Sequence, residues 1–127
     1  MAEPTKVILC LGSNVEPRRQ RIDNALATLA ASATIVAATD AVESDDITGR
    51  GEPYLNMAVR CVTDLSLAEF KAIICKAERD GGRSAERTLC GIVDIDIDLI
   101  IWGDRVISPA DLERPYFTPL YRCITVY

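Results

Sequence analysis

Residues 54–63 read Tyr54-Leu55-Asn56-Met57-Ala58-Val59-Arg60-Cys61-Val62-Thr63, and shortly after comes Ser66-Leu67-Ala68-Glu69. The first run alternates. Leu55, Met57, Val59 and Cys61 make an apolar row, and Tyr54, Asn56, Ala58 and Arg60 a polar, contact-capable row, which is the period of a β-strand. At Ser66 the period changes. A serine followed three residues later by a glutamate is a capping box, in which each side chain satisfies a backbone N–H of the first turn. Phe70, Ile73, Ile74 and Ala77 then recur at helical spacing. Gly81-Gly82 stops the helix, since glycine tolerates the left-handed conformation past a C-terminus.

The same reading extends outward. Lys6 to Leu11 is apolar on both faces and predicts a central strand, ended by the turn Gly12-Ser13-Asn14. Arg18 to Ala31 predicts a helix with Ile22, Ala25, Leu26 and Leu29 on one face. Ala33 to Val42 predicts a strand. Glu43 to Pro53, with Gly49 and Gly51, predicts a polar loop long enough to be functional. Arg83 to Cys90 reads as a charged loop, residues 91–103 as a strand, and the remainder as a short tail with Pro109, Pro115 and Pro119. The order strand–helix–strand–strand–helix–strand predicts an α+β, ferredoxin-like βαββαβ sandwich, an antiparallel sheet with helices on one face, as one domain over residues 1–127.

The last strand, Gly91-Ile-Val-Asp-Ile-Asp-Ile-Asp-Leu-Ile-Ile-Trp-Gly103, carries the chemistry. Strict alternation puts Asp94, Asp96 and Asp98 on one side with Ile92, Ile100 and Trp102 flanking them. It puts Val93, Ile95, Ile97, Leu99 and Ile101 on the other. Neighbouring carboxylates about 7 Å apart repel by roughly 2 kcal/mol at an effective dielectric of ~20. Water, an arginine or a bound cation would offset that repulsion. In the predicted fold the same face gathers Tyr54 and Asn56 from another strand, and this convergence favours the cation. All-oxygen ligands in a chain without histidine point to magnesium, which fills its remaining positions with water and substrate phosphate.

Composition narrows the alternatives. The chain has 14 basic and 19 acidic residues, net charge −5, and no basic run, so neither nucleic acid nor an anionic membrane surface is an expected partner. Its apolar runs are strand-sized, which argues against a spanning helix, and Val7 to Leu11 is shorter than a signal peptide's apolar region. Five cysteines without a C-x-x-C spacing fit no zinc or disulfide framework, and most are expected to be core residues in a reducing cytoplasm. With no histidine, histidine-based triads and histidine-ligated zinc are excluded.

Several stretches together resemble the hydroxymethyl-dihydropterin pyrophosphokinase family of the folate pathway. They are Leu11-Gly12-Ser13-Asn14, Pro53-Tyr54-Leu55-Asn56, Glu78 with Gly82-Arg83, Asp96-Ile97-Asp98 with Leu99-Ile100-Ile101-Trp102-Gly103, and Pro115 with Arg122. The resemblance implies pyrophosphate transfer from ATP to 6-hydroxymethyl-7,8-dihydropterin. It implies that Asp96 and Asp98 hold two magnesium ions bridging ATP oxygens, and that Tyr54 and Asn56 line the pterin pocket. Asp96, Asp98, Arg83 and Arg122 would be the catalytic groups, and Glu78, Arg83, Arg87 and Arg122 would meet the nucleotide. Where the family carries an arginine, a histidine and a tryptophan, this chain has Val93, Tyr116 and Cys90. Those differences imply an alternative: a relative that binds a pterin, a nucleotide or a protein partner without turnover.

Overall fold

Antiparallel pairing arranges the strands so that the two most apolar rows lie at the centre. The computed structural model describes residues 3–46, 49 and 51–125. In chain order the elements are β1 (Thr5–Ser13), α1 (Arg18–Ala30), β2 (Thr34–Ala38), β3 (Val42–Ser44), β4 (Tyr54–Thr63), α2 (Leu67–Asp80), α3 (Ala85–Leu89), β5 (Asp96–Trp102), β6 (Arg105–Val106), α4 (Pro109–Leu112) and α5 (Phe117–Thr125). The sheet runs β2-β4-β1-β5-β6, with β3 also paired to β4. All its pairings are antiparallel. The β2-β4-β1-β5 core is the α+β, ferredoxin-like arrangement that the element order predicts.

One face of the sheet carries α1 and α2. Val7, Leu9, Leu11, Met57, Val59, Cys61, Ile95 and Ile97 pack there against Ile22, Ala25 and Leu29 of α1 and Phe70, Ile74 and Ala77 of α2. The capping box forms as read: Glu69 N–H donates to Ser66 Oγ (3.2 Å) and Ser66 N–H donates to Glu69 Oε1 (2.9 Å). Gly82, at φ +98°, takes the left-handed conformation beyond α2. No helix of the described residues is long and apolar enough to cross a membrane.

Five expectations are corrected. The strand expected over 33–42 is two, because the chain breaks at Thr39–Ala41 and re-pairs to β4 through Val42–Ser44. This shortens the expected 43–53 loop, of which residues 47, 48 and 50 lie outside the described residues. The expected 83–90 loop contains α3, whose N-cap Ser84 Oγ accepts from Arg87 N–H. The tail folds into α4 and α5, and Phe117, Leu120 and Ile124 close part of the opposite sheet face over Ile8, Cys10, Ala58 and Ile100. A register shift in the β1–β5 pairing, opposite Ile8/Leu9, pairs Ile8 with Ile101 and Leu9 with Leu99. An extra residue reverses the side-chain alternation beyond it. Trp102 therefore turns to the α2 side, tilted against Phe70 with ring centroids 5.6 Å apart, and Ile101 turns to the α5 side. Finally, only Cys10 and Cys61 are buried, while Cys75, Cys90 and Cys123 are exposed.

Candidate functional site

Small residues in the central strands make a hollow on the face that α5 leaves open. Gly12 on β1 pairs with Asn56 on one side and Asp96 on the other, and Cys10 pairs with Ala58 and Asp98. Larger neighbours stand around this low floor, and a Cβ on Gly12 would lie 3.1 Å from Asn56 Oδ1 and 3.4 Å from Tyr54 Cδ2. The resulting cavity, about 110 Å³, is lined by Tyr54 and Asn56 of β4, Asp96 and Asp98 of β5, and Asp45 and Asp46 after β3. The tail contributes Asp111, Arg114 and Tyr116. The alternation read from the sequence thus brings Tyr54, Asn56, Asp96 and Asp98 together.

Asp94 does not join them. β5 begins only at Asp96, so alternation does not reach back to residue 94. Asp94 is 2% exposed and receives Arg87 through two contacts, Nε to Oδ2 at 2.7 Å and Nη2 to Oδ1 at 2.8 Å. Arg21 of α1 adds a third cation contact at 3.5 Å. The hydrogen bonds from Arg87 hold the Asp94 carboxyl below its ordinary range. Arg87, the residue expected at a nucleotide, here ties α3 to the segment ahead of β5. Asn14 supports the same segment: its Nδ2 donates to Gly91 O (2.8 Å) and its Oδ1 accepts from Val93 N–H (2.7 Å). Val93 is consequently buried.

Glu78 and Arg83 do reach β5. Arg83 Nη1 donates to both Glu78 Oε2 and Asp96 Oδ1 at 2.7 Å, and Glu78 Oε2 also accepts from the Ile97 N–H at 2.9 Å. Burial raises the Glu78 carboxyl above its ordinary range against those two hydrogen bonds. Arg83 therefore orients Asp96 through its Oδ1. Arg122 is exposed on α5 and does not line the cavity. The basic residue that the tail brings there is Arg114.

The electrostatics of the carboxylate pair are distinctive. Burial, then the charge of Asp96 and a hydrogen bond with it, push the Asp98 carboxyl up to about 8. A pair of neighbouring carboxyls beside a low-polarity floor is a donor set that a hard divalent cation suits. Among the described residues no group of three or more histidine, cysteine or carboxylate side chains is placed to hold a metal ion. The donor set is two aspartates, the number magnesium commonly takes from protein when phosphate and water complete its shell. Burial also raises the Tyr54 hydroxyl to about 12 and pushes the Tyr116 hydroxyl and Cys10 thiol up, so all three are neutral at physiological pH.

Asn56 is more specialised than its residue type suggests. Its Nδ2 donates to Val42 O (3.2 Å) and Ser44 Oγ (2.8 Å), which uses both amide hydrogens. Only Oδ1 is left for a ligand, so Asn56 selects a hydrogen-bond donor. The sequence reading passed over Asp45, Asp46, Asp111 and Arg114. Phe117, Leu120, Tyr121 and Ile124, at i, i+3, i+4 and i+7, are the periodic signal that would have revealed α5 and the turn bearing Arg114.

Fold and site together define a class: a ferredoxin-like α+β domain that opens a carboxylate-rich cleft on one sheet face. A family model described as 7,8-dihydro-6-hydroxymethylpterin-pyrophosphokinase matches residues 8–123, and the chain belongs to that family. A curated relative, the folate synthesis bifunctional protein of Arabidopsis thaliana, is 28% identical over 121 aligned residues, taking in 87% of this chain. The match spans 25% of that relative's length.

Proposed function

We propose that this chain transfers pyrophosphate from ATP to 6-hydroxymethyl-7,8-dihydropterin in folate biosynthesis. The observation that carries this reading is the convergence of two chemistries in one cleft. Tyr54 and the acceptor-only Asn56, both on β4, face the paired carboxyls Asp96 and Asp98 on β5. A ring with outward N–H groups suits Asn56 Oδ1, and the neutral Tyr54 ring adds an apolar wall. Family membership supports the same assignment.

In the reaction, the pterin hydroxyl oxygen forms a bond to the β-phosphorus of ATP. The bond from that phosphorus to the α–β bridging oxygen breaks, AMP leaves and the hydroxyl proton is released to solvent. Two magnesium ions, when bound, supply charge neutralisation of the triphosphate, with Asp96 and Asp98 as the residues that would hold them. The chain's own side chains position the reactants: Asn56 and Tyr54 hold the heterocycle, Arg83 fixes the Asp96 rotamer, and Glu78 holds Arg83. Such positioning supplies most of the catalysis in phosphoryl transfer.

A second reading, binding without turnover, draws on Arg87. That side chain is occupied by Asp94, and the position where the family has an arginine is the buried Val93. Incubation with magnesium, ATP and the pterin alcohol tests the first reading, with stoichiometric AMP and pterin diphosphate as the expected products. Folded protein yielding no AMP above background refutes it. In that case, calorimetric binding of α,β-methylene ATP or of the pterin supports the second reading.

A further inference from the structure

The cleft presents five aspartates and, among the described residues, one lining cation, Arg114. Arg114 is not loosely placed. Its Nε donates to Asp111 Oδ1 at 2.7 Å, and the other oxygen of Asp111 accepts from Ser108 Oγ at 2.6 Å. Burial pushes the Asp111 carboxyl up, but the hydrogen bonds from Ser108 and Arg114 outweigh it, so Asp111 stays ionised as an anchor. A guanidinium gripped through Nε keeps its Nη groups for a further acceptor. The side chain is only 28% exposed, which restricts where those groups reach. Asp98, Asp111 and Tyr116 are its charged and polar surroundings.

We infer that Arg114, aimed by the Ser108–Asp111 pair, is the guanidinium that binds the triphosphate of the nucleotide in this cleft. The inference rests on the pyrophosphokinase reading and assigns a phosphate-binding residue within it. Chemistry favours this use. A triphosphate in a cleft of carboxylates needs cationic contact beyond metal ions, and a planar fork matches two phosphate oxygens. The other arginines near the site are committed or remote: Arg87 to Asp94, Arg83 to Glu78 and Asp96, and Arg122 to the exposed side of α5.

The test compares the wild-type chain with Arg114→Met, Arg114→Lys and a control, Arg105→Met, which removes an exposed cation on β6. The probe is α,β-methylene ATP with magnesium, titrated calorimetrically, with KM for ATP and for the pterin measured alongside. Arg114→Met is expected to weaken the analogue and raise KM for ATP by roughly ten- to a hundred-fold, the loss of one charge-assisted contact. The pterin KM should hold. Arg114→Lys, which keeps the charge and the Asp111 pairing but not the fork, should fall between, and Arg105→Met should match wild type. Folded Arg114→Met and Arg114→Lys that bind the analogue as wild type does overturn the assignment of Arg114 alone. Equal losses for ATP and pterin in both variants, with a large drop in Tm, make Arg114 purely structural and overturn it as well. Failure of the wild-type chain to bind the analogue overturns both the assignment and the reading beneath it.

Discussion

Replacing Asp98 with asparagine tests the electrostatic logic of the cleft directly. In the folded chain the Asp98 carboxyl is raised from 3.8 to about 8 by burial and by Asp96. The sign follows from linkage. A carboxyl whose folded value lies above its unfolded value costs nothing when both states are protonated, below pH 3.8. It costs progressively more as pH rises toward 8. Same-face carboxylates two residues apart on a strand repel by roughly 2 kcal/mol at an effective dielectric of ~20 even at the ~7 Å of full extension, and by more when the two side chains meet. The burial penalty acts in the same direction. Asp98→Asn keeps the volume and can still donate to Asp96, so it should stabilise the metal-free protein by at least about 2 kcal/mol at pH 8. For a chain of this size that is a rise in Tm of about 8 °C. The gain should shrink as pH falls and vanish near pH 4. Magnesium should raise the Tm of the wild type and leave the variant unmoved. Thermal unfolding by circular dichroism in chelator and in magnesium, from pH 4 to 8, reads all three effects. A variant no more stable than wild type at pH 8 in chelator refutes the repulsion argument. An equal magnesium response in both proteins refutes Asp98 as a ligand.

Three further outcomes follow from other parts of the molecule. Asp94→Ala removes the buried end of the two-contact pair with Arg87 and should cost about 2–3 kcal/mol in urea unfolding, since both arginines lose their counter-charge but can reach water; a change under about 0.5 kcal/mol contradicts the tie. Gly12→Ala puts a methyl group 3.1 Å from Asn56 Oδ1 and against the Tyr54 ring, so calorimetry should show weakened pterin binding with the analogue's affinity retained. The Glu69 carboxyl is lowered from 4.5 by its hydrogen bonds with Ser66. The advantage of wild type over Glu69→Ala should therefore be present above pH 4.5 and be lost as pH falls through the depressed folded value, read as Tm difference against pH.

How much of the site the sequence discloses depends on how local the rule is. The faces of β4 and the first half of β5 follow from alternation, so Tyr54, Asn56, Asp96 and Asp98 are legible as one group once the strand order is read. Alternation holds only while the chain stays in a regular strand. Asp94 lies before β5 starts, and Trp102 lies beyond the register shift, so both turn away from the face their spacing predicts. Asn56's spare atom is equally invisible in the sequence, because it depends on β3 arriving to take both amide hydrogens.

By itself, the sequence determined the periods, the capping box, the element order and the carboxylate pair, because each is written in neighbours a few residues apart. The tertiary structure alone decided which arginine meets which aspartate. Arg87 goes to Asp94 because α3 packs beside the segment ahead of β5. Arg114 enters the cleft because Phe117, Leu120 and Ile124 anchor α5 on the second sheet face. A long, flexible cation can pair with any carboxylate within reach, and reach is set by how distant segments bury their apolar sides, which no local pattern encodes.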